Sequence, residues 1–141
     1  MSHDSSTLQA AIIRNYTELN NAILKLTAHD ELVRQDITYI RMSFFVVASH
    51  ALYNDTFSHA IRVLDEHKQA LSFWYVLRCN ESVVKRAATS SGLDLDELKK
   101  LSTKLRIVRE KTQFHIDRVS IKDPESVWGA AAINGNDFGR A

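Results

Sequence analysis

The chain has 141 residues, of which 45 % are apolar and 25 % charged, and a net charge of +1. That balance excludes a polycation and a charge-rich disordered chain, and it suits one core of ordinary size. Four glycines and one proline argue against a many-turned β-sandwich and for long helices.

No apolar run approaches the roughly 18–20 residues that span a bilayer, so no membrane association is expected. The opening "MSHDSSTLQA" lacks a charged n-region followed by an apolar h-region, so it does not read as a secretory signal. Cys79 is the single cysteine; it excludes an intrachain disulfide and fits a reducing cytoplasm.

In chain order, Ser6 and Gln9 form a capping-box pattern that starts a first helix. Its apolar stripe is Leu8, Ile12, Leu19, Ile23 and Leu26, with Tyr16 filling the gap. His29–Asp30 breaks the pattern, and Asp30 is expected to cap a second helix. That helix carries Val33, Ile37, Ile40, Phe44, Val47 and Ala51, and "SFFVVAS" places it in the middle of the core. A turn is expected near Asn54–Asp55, then a shorter helix ending near Asp65. Residues 70–77 ("ALSFWYVL") are read as helix, with Phe73, Trp74 and Tyr75 as packing residues rather than a base-stacking platform.

"NESVVKRAATSSG" reads as a short helix capped by Asn80 and ended by Gly92. Asp94 and Glu97 then open the last long helix, whose stripe is Leu98, Leu101, Leu105, Val108, Thr112, His115 and Val119. Asp123–Pro124 ends it. The expected architecture is an all-α, single-domain antiparallel bundle of five to six helices over residues 5–123. Residues 124–141 are expected to form a loosely ordered tail, with Trp128 as the residue expected to pin it to the body.

The last helix concentrates charge. Residues 99–122 hold eight basic side chains, Lys99, Lys100, Lys104, Arg106, Arg109, Lys111, Arg118 and Lys122, against Glu110 and Asp117. Such an element can hold a phosphate backbone, or it can be a solvated face. Within it, "LRIVREKTQFHID" sets Arg109 and His115 six positions apart, about 120° around an ideal helix. They cannot stack on one line, but both can border one concave surface, particularly where two copies of the helix face each other. Arg109, flanking a buried stripe, needs a counter-charge, from Glu110, Asp117 or an incoming phosphate. By itself, a histidine on an apolar stripe is more often a packed residue than a catalyst.

Arg109-Glu110-Lys111-Thr112-Gln113-Phe114-His115 resembles the arginine, polar residue, spacer, histidine motif of the HEPN superfamily, on the last long helix where that family carries it. The trailing "HID" and the "AIRVLD" of residues 60–65 are similar to its abortive-infection branch, and the resemblance covers roughly residues 5–135. The family commonly has asparagine, aspartate or histidine where this chain has Glu110.

The resemblance implies a small helical bundle acting as a metal-independent endoribonuclease in toxin–antitoxin or phage-defence systems. Arg109 would hold the phosphate and His115 would move protons, in the cleft of a homodimer. Glu110, Lys111, Thr112 and Lys104 are the supporting or RNA-binding candidates. The substrate is then RNA, no cofactor is implied, and a nucleotidyltransferase antitoxin is a possible partner. The alternative from another class is a non-catalytic module of the same fold that binds RNA, a nucleotide or an antitoxin. A metal site is not expected, because His50, His59 and His67 stand eight or nine residues apart, without the i, i+4 pair that grips zinc.

Overall fold

The computed structural model describes residues 5–35 and 42–110. It is all-α, with five helices and no strand among the described residues: α1 (Ser5–Arg34), α2 (Met42–Val63), α3 (Phe73–Cys79), α4 (Glu81–Ser91) and α5 (Leu95–Val108). No helix among them is long and apolar enough to cross a membrane. Lys111, Thr112, His115, Trp128 and the expected tail lie outside the described residues, as do Ile37 and Ile40.

α1 and α2 form an antiparallel hairpin. Its cross-links run in opposite order along the two helices: Glu18 meets Arg62, Lys25 meets Asp55, and His29 lies against Tyr53. Two expected breaks are absent. α1 continues through His29–Asp30 to Arg34, so Asp30 caps nothing and Val33 belongs to the first helix. α2 continues through Asn54–Asp55, so the expected turn and separate short helix are one element. Aspartate inside a helix tends to bond its own backbone; here Lys25 takes the Asp55 carboxylate instead.

The core gathers Phe57, Ala60, Ile61, Val63 and Leu64 of α2 against Trp74 and α5's Leu98, Leu101 and Leu105. The described part of the α5 stripe is buried throughout, Leu105 being 1 % and Val108 0 % exposed. Asp94 caps that helix by accepting from the Asp96 and Glu97 backbone N–H groups, which satisfies donors that have no partner within the helix. Gly92 ends α4 in the left-handed region at φ 72°, whereas Asn80 stands at the other end without the expected cap, its side chain making no capping hydrogen bond. Trp74 Nε1 donates to Leu64 O at 3.1 Å and to Ser102 Oγ at 3.0 Å, tying α3 to α2 and α5.

The two long helices pack differently from expectation. Ile12, Tyr16, Leu19 and Ile23 are exposed, and Ala11 and Asn15 are the buried residues of α1. Asn15 Nδ2 donates to Ala11 O at 2.8 Å and to Leu71 O at 2.9 Å, which fixes that rotation of the helix. On α2, Phe44 is 71 % and Val47 67 % exposed. "SFFVVAS" is therefore not the centre of the core: Phe45, Ala48, Leu52 and Thr56 occupy its inward side, and the core sits on the C-terminal half of α2.

Candidate functional site

α2 stops at Val63, and the chain turns at once. Asp65 Oδ1 accepts from the His67 backbone N–H at 3.0 Å, and His67 Nδ1 accepts from the Gln69 N–H at 3.3 Å. These bonds fold Asp65, Glu66 and His67 into a tight turn facing the last turns of α5. Between turn and helix lies an open hollow of about 290 Å³, floored by Ile61, Leu64, Ser102 and Leu105 and rimmed by Asp65, Glu66, His67, Arg106, Arg109 and Glu110.

Arg109 is placed by the helix itself. Its backbone stays helical (φ −54°, ψ −50°), and its N–H donates to Leu105 O and Arg106 O. Arg109 Nη1 lies 3.1 Å from Asp65 Oδ2, with both side chains about a quarter exposed. The counter-charge is thus Asp65, a residue the sequence reading did not weigh; Glu110 borders the same hollow without taking that part.

Acids from the turn and from α5 itself temper the basic stretch. Glu66 Oε2 pairs with Lys99 Nζ at 3.1 Å, and Lys100 pairs with Glu97 at 2.6 Å. Glu66 Oε1 is buried with no hydrogen-bond partner among the described residues. The hollow brings together two guanidinium groups, three carboxylates and one imidazole. Such a set can hold a group that both accepts from arginine and donates to carboxylate, such as a phosphate with a neighbouring hydroxyl. Lys104 lies on α5 outside the hollow. The sequence named Arg106 only among the basic residues of the last helix and His67 only as a rejected metal ligand; that these meet Asp65 and Glu66 at one hollow was not legible, since a tight turn after α2 meeting α5 is a tertiary event. The acidic pair "DE" ahead of His67 was its one local signal.

A second polar cluster joins α1 to α2. His59, 7 % exposed, has Nδ1 2.5 Å from Glu18 Oε2 and Nε2 2.9 Å from Lys25 Nζ. Lys25 only donates, so Nε2 accepts and Nδ1–H donates to Glu18. Arg62 Nη1 also donates to Glu18, at 3.2 Å, and Lys25 pairs with Asp55. Burial pushes the Glu18 carboxyl up, but the hydrogen bonds from His59 and Arg62 outweigh it and hold the group below its ordinary value. The hydrogen bond from Lys25 does the same for Asp55. All five members of this cluster have partners within it, which marks a helix-pairing clamp rather than a reaction centre.

Comparison with family models, with curated proteins and with solved structures finds no match to this chain.

Proposed function

We propose that the chain is a metal-independent endoribonuclease of the HEPN type, a cytoplasmic toxin or phage-defence effector whose Arg109 and His115 act on RNA in a dimer cleft. The ribose 2′-oxygen attacks the adjacent phosphorus as a base removes its proton. The new 2′-O–P bond replaces the P–O5′ bond, and an acid protonates the departing 5′-oxygen. The products are a 2′,3′-cyclic phosphate and a 5′-hydroxyl. His115 is suited to the proton transfers, because an imidazole changes charge near neutral pH. Two copies would supply one base and one acid. Arg109 would hold the non-bridging oxygens where negative charge builds.

The observation that supports this reading is the position of Arg109 at the rim of an open hollow. Asp65 engages its Nη1, and a guanidinium has five N–H donors in a planar fork. Asp65 would then aim the fork as well as neutralise it. The test is incubation of the purified chain with total RNA in EDTA. Cleavage lost in both Arg109→Ala and His115→Ala supports the proposal, and cleavage that persists in both defeats it.

One observation favours a second reading, a non-catalytic module of the same kind. The Asp65 carboxylate already neutralises Arg109, and carboxylates outnumber guanidinium groups around the hollow. On that reading the site binds RNA, a nucleotide or a nucleotidyltransferase antitoxin without cutting. RNA retained but uncleaved under the same conditions distinguishes it.

A further inference from the structure

Internal pairing leaves two charged groups of the hollow over. Asp65 takes Arg109, and Lys99 takes Glu66. Arg106 and Glu110, four residues apart, are both exposed on the rim. Among the described residues neither side chain makes an ion pair or hydrogen bond, with the other or with a third group. Beneath them the floor is apolar: Ile61, Leu64 and Leu105 are at most 8 % exposed. The one hydroxyl there, Ser102 Oγ, already donates to Leu98 O at 3.2 Å and accepts from Trp74 Nε1.

These features describe an occupant. It has a flat apolar face for the floor, a pair of acceptors for a guanidinium fork and a pair of donors for a carboxylate. A phosphodiester alone supplies only acceptors, and Glu110 would repel it. An amino-acid zwitterion carries both charges but no flat face. Nucleobases are flat, and their edges differ in what they present. Guanine carries two adjacent acceptors, O6 and N7, and on the next edge two adjacent donors, N1–H and the N2 amino group. Adenine and cytosine each have one exocyclic amino group, and uracil has one N3–H between two carbonyls, so none of these gives a carboxylate two parallel hydrogen bonds from two nitrogens. The hollow's volume of about 290 Å³ lies at the lower end of the roughly 300–1,000 Å³ usual for small-ligand sites, room for one base and its ribose.

We propose that the hollow reads guanine. Arg106 donates to O6 and N7, Glu110 accepts from N1–H and the N2 amino group, and the base lies on Ile61, Leu64 and Leu105. The donors of Arg109 that Asp65 does not use remain for the sugar–phosphate attached to that base. The inference rests on the hollow's meeting RNA, which both functional readings share, and it adds which base is chosen. Pairing hides the N1–H and N2 donors, so the guanine read here is an unpaired one.

The test is isothermal titration calorimetry of the full chain with the four nucleoside 3′-monophosphates and with inosine 3′-monophosphate, which lacks the N2 amino group. Guanosine 3′-monophosphate is expected to bind about tenfold more tightly than the other three, the discrimination that one good bidentate pair gives. Inosine 3′-monophosphate is expected to bind about fivefold more weakly than the guanosine nucleotide, for one lost hydrogen bond to a charged group. Glu110→Gln and Arg106→Ala, both at exposed positions, are each expected to bring the guanosine preference to within about twofold, while circular dichroism shows unchanged helicity. A preference that neither substitution lowers overturns the inference, as do equal affinities for the four nucleotides or no binding of any of them at millimolar concentration. The nuclease reading fails separately: guanosine selectivity in a chain that leaves RNA intact supports the inference and counts only against cleavage.

Discussion

Arg109 Nη1 sits 3.1 Å from Asp65 Oδ2, which locks the last turn of α5 to the turn that follows α2. This contact decides both the stability and the charge of the hollow. An arginine in that position cannot attract phosphate as a free cation would, because a carboxylate shares its field. It is also held in one orientation, as a group meant to meet a phosphate in fixed geometry must be. The same pair therefore bears on both functional readings.

Removing the Asp65 charge tests whether Arg109 meets phosphate. Asp65→Asn is expected to cost about 1 kcal/mol of stability, the scale of a partly exposed ion pair, and to raise the affinity for a short single-stranded RNA severalfold at low salt. Fluorescence anisotropy at two salt concentrations measures this. The gain is expected to shrink as salt rises, because it is electrostatic. Unchanged affinity at low salt would show that Arg109 does not contact the phosphates.

His59 is expected to dominate the α1–α2 clamp. His59→Ala leaves the Glu18 carboxylate, 18 % exposed, without its closest donor, and the expected loss is about 2–3 kcal/mol. Arg62→Ala removes a side chain 48 % exposed and is expected to cost less than about 1 kcal/mol. Thermal or urea unfolding of the two variants gives the comparison. Equal losses would contradict the assignment of the buried imidazole as the central member.

Acid should weaken the same clamp. The folded chain holds the Glu18 carboxyl below its ordinary 4.5 and the Asp55 carboxyl below its ordinary 3.8. Folding thus favours their charged forms. The stabilisation is complete above those ordinary values and is lost as pH falls through the depressed ones. Urea midpoints are expected to drop steadily below about pH 4.5, and Glu18→Gln to flatten part of that slope. A slope unchanged in Glu18→Gln would place the acid sensitivity elsewhere.

The core and the α4 cap make contrasting demands. Leu105→Ala is expected to cost about 2–5 kcal/mol, because a side chain 1 % exposed leaves a cavity its neighbours fill only in part. Gly92 sits at φ 72°, and a methyl group there would meet nothing within 4 Å. Gly92→Ala is therefore expected to cost about 1 kcal/mol, from backbone conformation alone. A loss at Gly92 as large as at Leu105 would mean that the helix end packs against something further.

What the sequence disclosed depended on how far away the deciding partner lay. The α5 stripe from Leu98 to Val108, its Asp94 cap and the Gly92 stop are settled within a turn or two, and each stands as the local spacing implied. Periodicity also marked the apolar stripes of α1 and α2, but not which way they would turn. That choice belongs to Asn15, bonded to Leu71 O, and to Glu18 and Lys25, which meet residues 41 and 30 positions away. The false break at Asn54–Asp55 has the same origin, since Lys25 supplies the partner that Asp55 would otherwise seek in its own backbone. At the hollow, Arg109 was legible from its place beside the stripe, whereas Asp65 was not, because the two meet across the fold.

The most direct measurement is the chemistry of the RNA ends left by the purified chain in EDTA. The expected result is a 2′,3′-cyclic phosphate opposite a 5′-hydroxyl, identified by mass spectrometry of the fragments and missing when Arg109 or His115 is replaced by alanine. Fragments ending in a 3′-hydroxyl and a 5′-phosphate, or RNA recovered intact at every protein concentration, would contradict it.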